Sequence, residues 1–198
     1  MASIEPVAPY PIRNRHWTRK EYDQLIRIGF FYEDEPIELL GGQLIVAEPK
    51  GSPHSTAIAL TAEALRAAFG PGWLVRVQDP VALDNESEPE PDVVVVPGRP
   101  RDYVAEHPTR PALLVEIAES SLAFDRGHKG SLYARAGVAD YWIVNLVDEV
   151  LEIYRQPALD QSATFGWRYL DVEPLRPGNI VSPLARPDVT VAVADLLP

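Results

Sequence analysis

PDVVVV (residues 91–96), LLVEIAESS (113–121), DRGHKGSLYARAGV (125–138) and DYWIV (140–144) succeed one another across the middle of the chain. Apolar runs this short, rich in valine, leucine and isoleucine, fit strands that are covered on both faces. Each of the first two carries one acid: Asp92 opens the first, and Glu116 stands near the end of the second. A carboxylate buried beside such a strand is costly unless a cation or hydrogen-bond donors receive it. Two of them in neighbouring strands, with Lys129 in the segment that follows, point to a cation site. Helical spacing puts Asp125, Lys129 and Tyr133 on one face, from which a lysine stem reaches back to the strand end. Taken alone, Asp125 and Lys129 would be a surface ion pair worth roughly a few tenths of a kcal/mol. Arg126 competes with Lys129 for the role of site cation, being three positions earlier on nearly the same face.

Outward from this stretch the local signals are plain. Residues 1–16 read as an extended, proline-rich arm, and 17–198 as a single domain. Thr18 and Glu21 form a capping box for a helix that Gly29 ends. The arginines and lysine at 13, 15, 19 and 20 mark a solvated helix start, with phosphate contact as the second reading. IELLGGQLIVAE (37–48) is a hairpin about Gly41–Gly42, and Glu38 in its first strand faces either the carboxylate pair or solvent. Ser52 as N-cap and Pro53 at the first helical position open a helix that runs to Phe69. His54, in its first turn, either meets a phosphate or helps to cap the turn. WLVRV (73–77) is a half-buried strand. The acidic run DNESEPEP (84–91) reads as a solvated turn. After DYWIVN, the segments EVLEIYR (149–155), ATFGWRYLDVEP (163–174), NIVSP (179–183) and VTVAVADLL (189–197) supply further strands.

The composition is that of an ordinary globular protein: 198 residues, 46% hydrophobic and 24% charged. The absence of cysteine excludes disulfides and thiolate metal sites, and fits the cytoplasm. No apolar run reaches a membrane span, and the N-terminus lacks a signal-peptide core. A net charge of −11 argues against indiscriminate binding to phosphate backbones. There is no nucleophile elbow, phosphate-binding glycine loop or dinucleotide fingerprint, and His16, His54, His107 and His128 are too scattered for zinc.

The order Pro91–Asp92, Glu116, Lys129, Tyr133, Gly137–Val138 and Tyr141–Trp142 resembles the Uma family of candidate restriction endonucleases, within the PD-(D/E)XK nuclease superfamily. The resemblance runs from about Trp17 to the C-terminus. One departure stands out: Ala118 occupies the position two after Glu116 where the superfamily carries lysine, and Lys129 looks like the displaced equivalent. The resemblance implies an α/β restriction-endonuclease-like fold, a mixed sheet flanked by helices. It also implies Mg²⁺ or Mn²⁺ on Asp92, Glu116 and the Ile117 carbonyl, with Lys129 as catalytic cation and Glu38 completing the site. His54 and Tyr133 would contact substrate, expected to be DNA. Arginine hardly gives up a proton, which favours Lys129 over Arg126 as water activator.

Further expectations follow. Lys129→Ala should stop cleavage and leave the fold nearly intact. Asp92→Asn and Glu116→Gln should be mildly stabilising without metal, because adjacent like charges repel. Aromatic and apolar residues around Tyr141–Trp142 and in the last strands, together with duplex symmetry, suggest a homodimer. The rival reading is an inactive nuclease-fold module acting through protein contacts.

Overall fold

The computed structural model describes residues 14–32, 35–47 and 50–198. Most of the expected N-terminal arm, Arg13 included, lies outside the described residues. No helix among those described is long and apolar enough to cross a membrane.

Six strands form the central sheet: β3 (Trp73–Val77), β4 (Val93–Pro97), β5 (Leu113–Ala118), β6 (Asp140–Asn145), β7 (Val150–Leu159) and β8 (Trp167–Leu175). They lie side by side in chain order, and every pairing is antiparallel except β5 with β6. That parallel pair needs a crossover. It is supplied by α3 (Leu122–Phe124), a π-helical turn (Asp125–Lys129) and α4 (Gly130–Arg135).

Helix α2 (Ser52–Phe69) covers one face of the sheet, packing Ala57, Ala62, Leu65 and Phe69 against Val93, Val95, Leu113, Val115, Ile117 and Trp142. The opposite face holds Val94, Val96, Leu114 and Ile143 under Tyr133 and Ala134 of the crossover. Every residue of β5 and β6 is buried, as their unbroken apolar runs require. The α2 cap is one residue earlier than expected, since Gly51 is the N-cap and Ser52 begins the helix. Tyr141 and Trp142 are completely buried within the chain. The aromatic argument for a dimer therefore falls away, since these rings are used up in the core.

Two smaller elements frame one end of the sheet. Helix α1 (Arg19–Arg27) starts at the Thr18–Glu21 capping box. A hairpin of β1 (Ile37–Leu40) and β2 (Gln43–Val46) turns at Gly41 and Gly42, with φ of 57° and 79°. Two positive φ values in a two-residue turn suit the right-handed twist of the strands and favour glycine.

The DNESEPEP run is not a solvated turn. Glu88 donates its backbone N–H to the Leu39 carbonyl at 2.7 Å, and Gly42 donates to the Glu86 carbonyl at 2.7 Å. These bonds press the run onto the hairpin and leave Glu88 only 4% exposed, with Arg19 Nε 3.4 Å from its carboxylate. Burial, then Asp23, push the Glu88 carboxyl up to about 7, against the pull of Arg19. A carboxyl raised in the folded state favours folding while protonated. Its contribution is full below the unfolded value near 4.5 and is lost as pH rises through about 7. Glu88→Gln should gain about 1–2 kcal/mol on the parent between pH 5 and pH 8, read from denaturant unfolding at both values.

Candidate active site

The β4–β5 register builds the centre. Val93 pairs with Val115, so Asp92 and Glu116 fall directly opposite one another, on the side of the sheet that the crossover covers. Their groups interlock. Asp92 Oδ2 accepts the Ile117 N–H at 2.9 Å, and Glu116 Oε2 lies 3.4 Å from the Asp92 N–H. Both residues are buried, at 4% and 3% exposed.

The crossover brings the cation. Lys129 Nζ lies 3.0 Å from Glu116 Oε1, and the Tyr133 hydroxyl donates to the same oxygen at 2.6 Å. The backbone leading up to Lys129, Asp125–Lys129, is wider than an α-helix: the N–H of Gly130 reaches back to the Asp125 carbonyl, which also accepts the Tyr141 hydroxyl at 3.1 Å. Such π turns recur at functional sites because they re-aim a side chain inside a helix. A Cβ at position 130 would come within 3.2 Å of that same carbonyl oxygen, so glycine suits the turn.

Glu38 projects inward from β1, resolving its two readings: it is 7% exposed and lies 3.3 Å from Lys129 Nζ through Oε2. Asp125 is buried as well and accepts the Ser121 hydroxyl at 2.6 Å. The surface ion pair with Lys129 is thus excluded, and Ser121 spends its hydroxyl on Asp125 rather than on a helix cap. Arg126 instead pairs with Glu152 near the start of β7, two strands along from Glu116, which removes it as rival to Lys129.

Sequence reading missed Lys50. Its Nζ lies 2.8 Å from Asp92 Oδ1, although it stands 42 residues earlier in the chain. His54, from the first turn of α2, places Nε2 3.2 Å from Asp92 Oδ2, and among the described residues this nitrogen makes no aligned hydrogen bond. Glu90, read as part of a solvated turn, also lines the site. The one available signal for Lys50 was its place four residues before His54, at the same helix start.

These groups enclose a cleft of about 490 Å³, walled by the hairpin, α2 and the crossover. Glu38, Glu90, Asp92, Glu116 and Asp125 face Lys50 and Lys129, five acidic groups against two ammonium groups, an excess of three negative charges when all five are ionised. Burial raises the Asp92 carboxyl, but His54 and the Lys50 ammonium outweigh it and hold the group at about 2. Burial pushes Glu116 up, with Asp92, Asp125 and Glu38 adding to the rise and only Lys129 resisting it. Asp125 goes up to about 6, chiefly through burial. Burial would lower Lys129, yet Glu116, Glu38 and Asp125 together raise it. It is therefore a fixed ammonium.

Among the described residues no set of three or more Asp, Glu or His is already gathered as a metal cluster. The donors nonetheless suit a hard divalent cation. They are all oxygen, acids outnumber lysines, and among the described residues the buried Glu38 Oε2 accepts no aligned hydrogen bond although Lys129 Nζ stands 3.3 Å away. Tyr133 is completely buried and donates to Glu116, so it presents no exposed surface for the substrate contact expected from sequence.

The sequence matches the family model Uma2, described as "Putative restriction endonuclease", over residues 19–194. No curated protein matches it in sequence. Among solved structures the chain is similar to a "putative nuclease belonging to DUF820" from Anabaena variabilis, with a TM-score of 0.65 and 16% identity. The match covers 87% of this chain and 96% of that one. At that identity the likeness shows a shared fold.

Proposed function

The chain belongs to the Uma2 family, and on that premise we propose that it is a metal-dependent nuclease hydrolysing phosphodiester bonds, with DNA as substrate. The observation that carries this reading is the facing pair Asp92 and Glu116, set in a cleft with five acidic groups against two lysines and Lys129 beside Glu116. An inactive module has no use for so much buried, repelling charge.

Asp92, Glu116 and the Ile117 carbonyl would hold Mg²⁺ or Mn²⁺, with Glu38 beside them. When bound there, such an ion supplies Lewis acidity toward a phosphoryl oxygen. Lys129 keeps its proton, so it serves by charge: it steadies Glu116 and offsets negative charge developing on the phosphate. Tyr133 fixes the Glu116 side chain from behind. His54, at the cleft wall beside Asp92, is placed to meet the substrate. The low dielectric of the cleft strengthens each of these interactions. We take residues 17–198 as one domain. Paired cuts in a duplex would still call for a twofold dimer on symmetry grounds.

Millimolar Mn²⁺ or Mg²⁺ should raise the melting temperature of the parent and not that of Asp92→Ala, because binding to the folded state alone stabilises it. The same ions should support nicking of supercoiled plasmid by the parent. A parent without thermal shift and without nicking returns the protein to the inactive-module reading.

A further inference from the structure

We infer that Lys50 is a second working cation of this site: it holds Asp92 until a divalent cation arrives, then passes to a phosphate of the substrate. The inference rests on the nuclease reading above.

The two lysines are built differently. Lys129 has a side chain 9% exposed and is clasped between Glu116 and Glu38. Lys50 has a side chain 33% exposed and, among the described residues, a single acid partner. Asp92 is asymmetric in the same sense. Its Oδ2 receives the Ile117 N–H and faces His54, whereas Oδ1 has no partner among the described residues except Lys50. A cation reaching Oδ1 breaks no backbone hydrogen bond, but it meets an ammonium already there. Two cations at one oxygen repel strongly in a half-buried cleft. The lysine can yield, because its four-carbon stem swings without moving the backbone.

Once released, Lys50 has few places to go. Of the described residues lining the cleft, it is the one lysine with a partly exposed side chain, so it stands where an anion must enter. The entering anion is a phosphodiester. Exchange of Lys50 from carboxylate to phosphate thus links metal loading to substrate binding, and offsets part of the acidic repulsion around the site.

The test uses the full chain with Lys50→Met, which keeps the stem without the charge, and Lys50→Arg. Lys50→Gln replaces the methionine variant should that one fail to fold. Mn²⁺ affinity is read by calorimetry, and binding of a fluorescein-labelled DNA duplex in Ca²⁺ by anisotropy. Lys50→Met should bind Mn²⁺ about two- to fivefold more tightly than the parent and the duplex about two- to fivefold more weakly. Lys50→Arg should stay near the parent in both. Any other combination overturns the exchange. A parent that binds both probes while Lys50→Met behaves identically sinks Lys50 alone. A parent that binds neither removes the nuclease reading and this inference with it.

Discussion

Lys129→Ala is expected to lower metal-dependent cleavage by about 10²–10³-fold, the usual loss when one preorganised charge at a reacting centre is removed. It is also expected to cost stability, which sequence reasoning did not anticipate. Lys129 lies 3.0 Å from Glu116 and 3.3 Å from Glu38, all three nearly inaccessible to water. Removing it strands two buried acids, a loss on the order of 3–5 kcal/mol for a broken buried pair. The cost depends on pH in a defined direction. Glu116 is raised by burial, so without Lys129 it takes up a proton more readily still. Acidification from pH 8 to pH 5 should therefore recover part of the lost stability, measured by urea unfolding. Adding Glu38→Gln to Lys129→Ala should recover more, because one stranded charge disappears. Cleavage by the folded double variant then separates chemistry from folding. Activity equal to the parent's in folded Lys129→Ala would show that the ammonium is structural only.

Asp92→Asn should abolish cleavage, by about 10³-fold or more if Asp92 holds the metal. Its effect on stability should run opposite to the sequence-based expectation. Mutual repulsion with Glu116 suggested relief, but Asp92 is received by the Ile117 N–H, the Lys50 ammonium and His54. These partners hold its carboxyl at about 2, below the ordinary 3.8. A depressed pKa means that ionised Asp92 stabilises the fold above pH 4, and that this is lost as pH falls from 4 to 2. Asp92→Asn should cost about 1–3 kcal/mol at pH 7 and show a weaker acid dependence in that window. Denaturant titrations at pH 2, 4 and 7 decide it. An Asp92→Asn protein more stable than the parent at pH 7 would mean that repulsion dominates the metal-free site.

What the sequence by itself determined is local. The Thr18–Glu21 cap, the Gly41–Gly42 turn and the buried runs of β4, β5 and β6 depend on residues a few positions apart, so sterics and period write them into the chain. The facing of Asp92 and Glu116 was nearly as legible, because one immediately precedes and the other lies in a strand whose two faces are both covered. Three things belonged to the tertiary structure. Alternation gives Glu38 a side of its strand, but only the docking of the hairpin over the sheet makes that side the inside. The acids of 84–91 look like a solvated run until the Leu39 carbonyl draws Glu88 under cover. Lys50 has no local mark of function beyond its place just before His54, and acquires a role when α2 packs on the sheet and brings its start to Asp92. The division has a physical cause. Turns, caps and periods are set by short-range sterics and hydrogen bonds, whereas the partner of a charge is set by which surfaces close together, and that is decided by burial of the whole core.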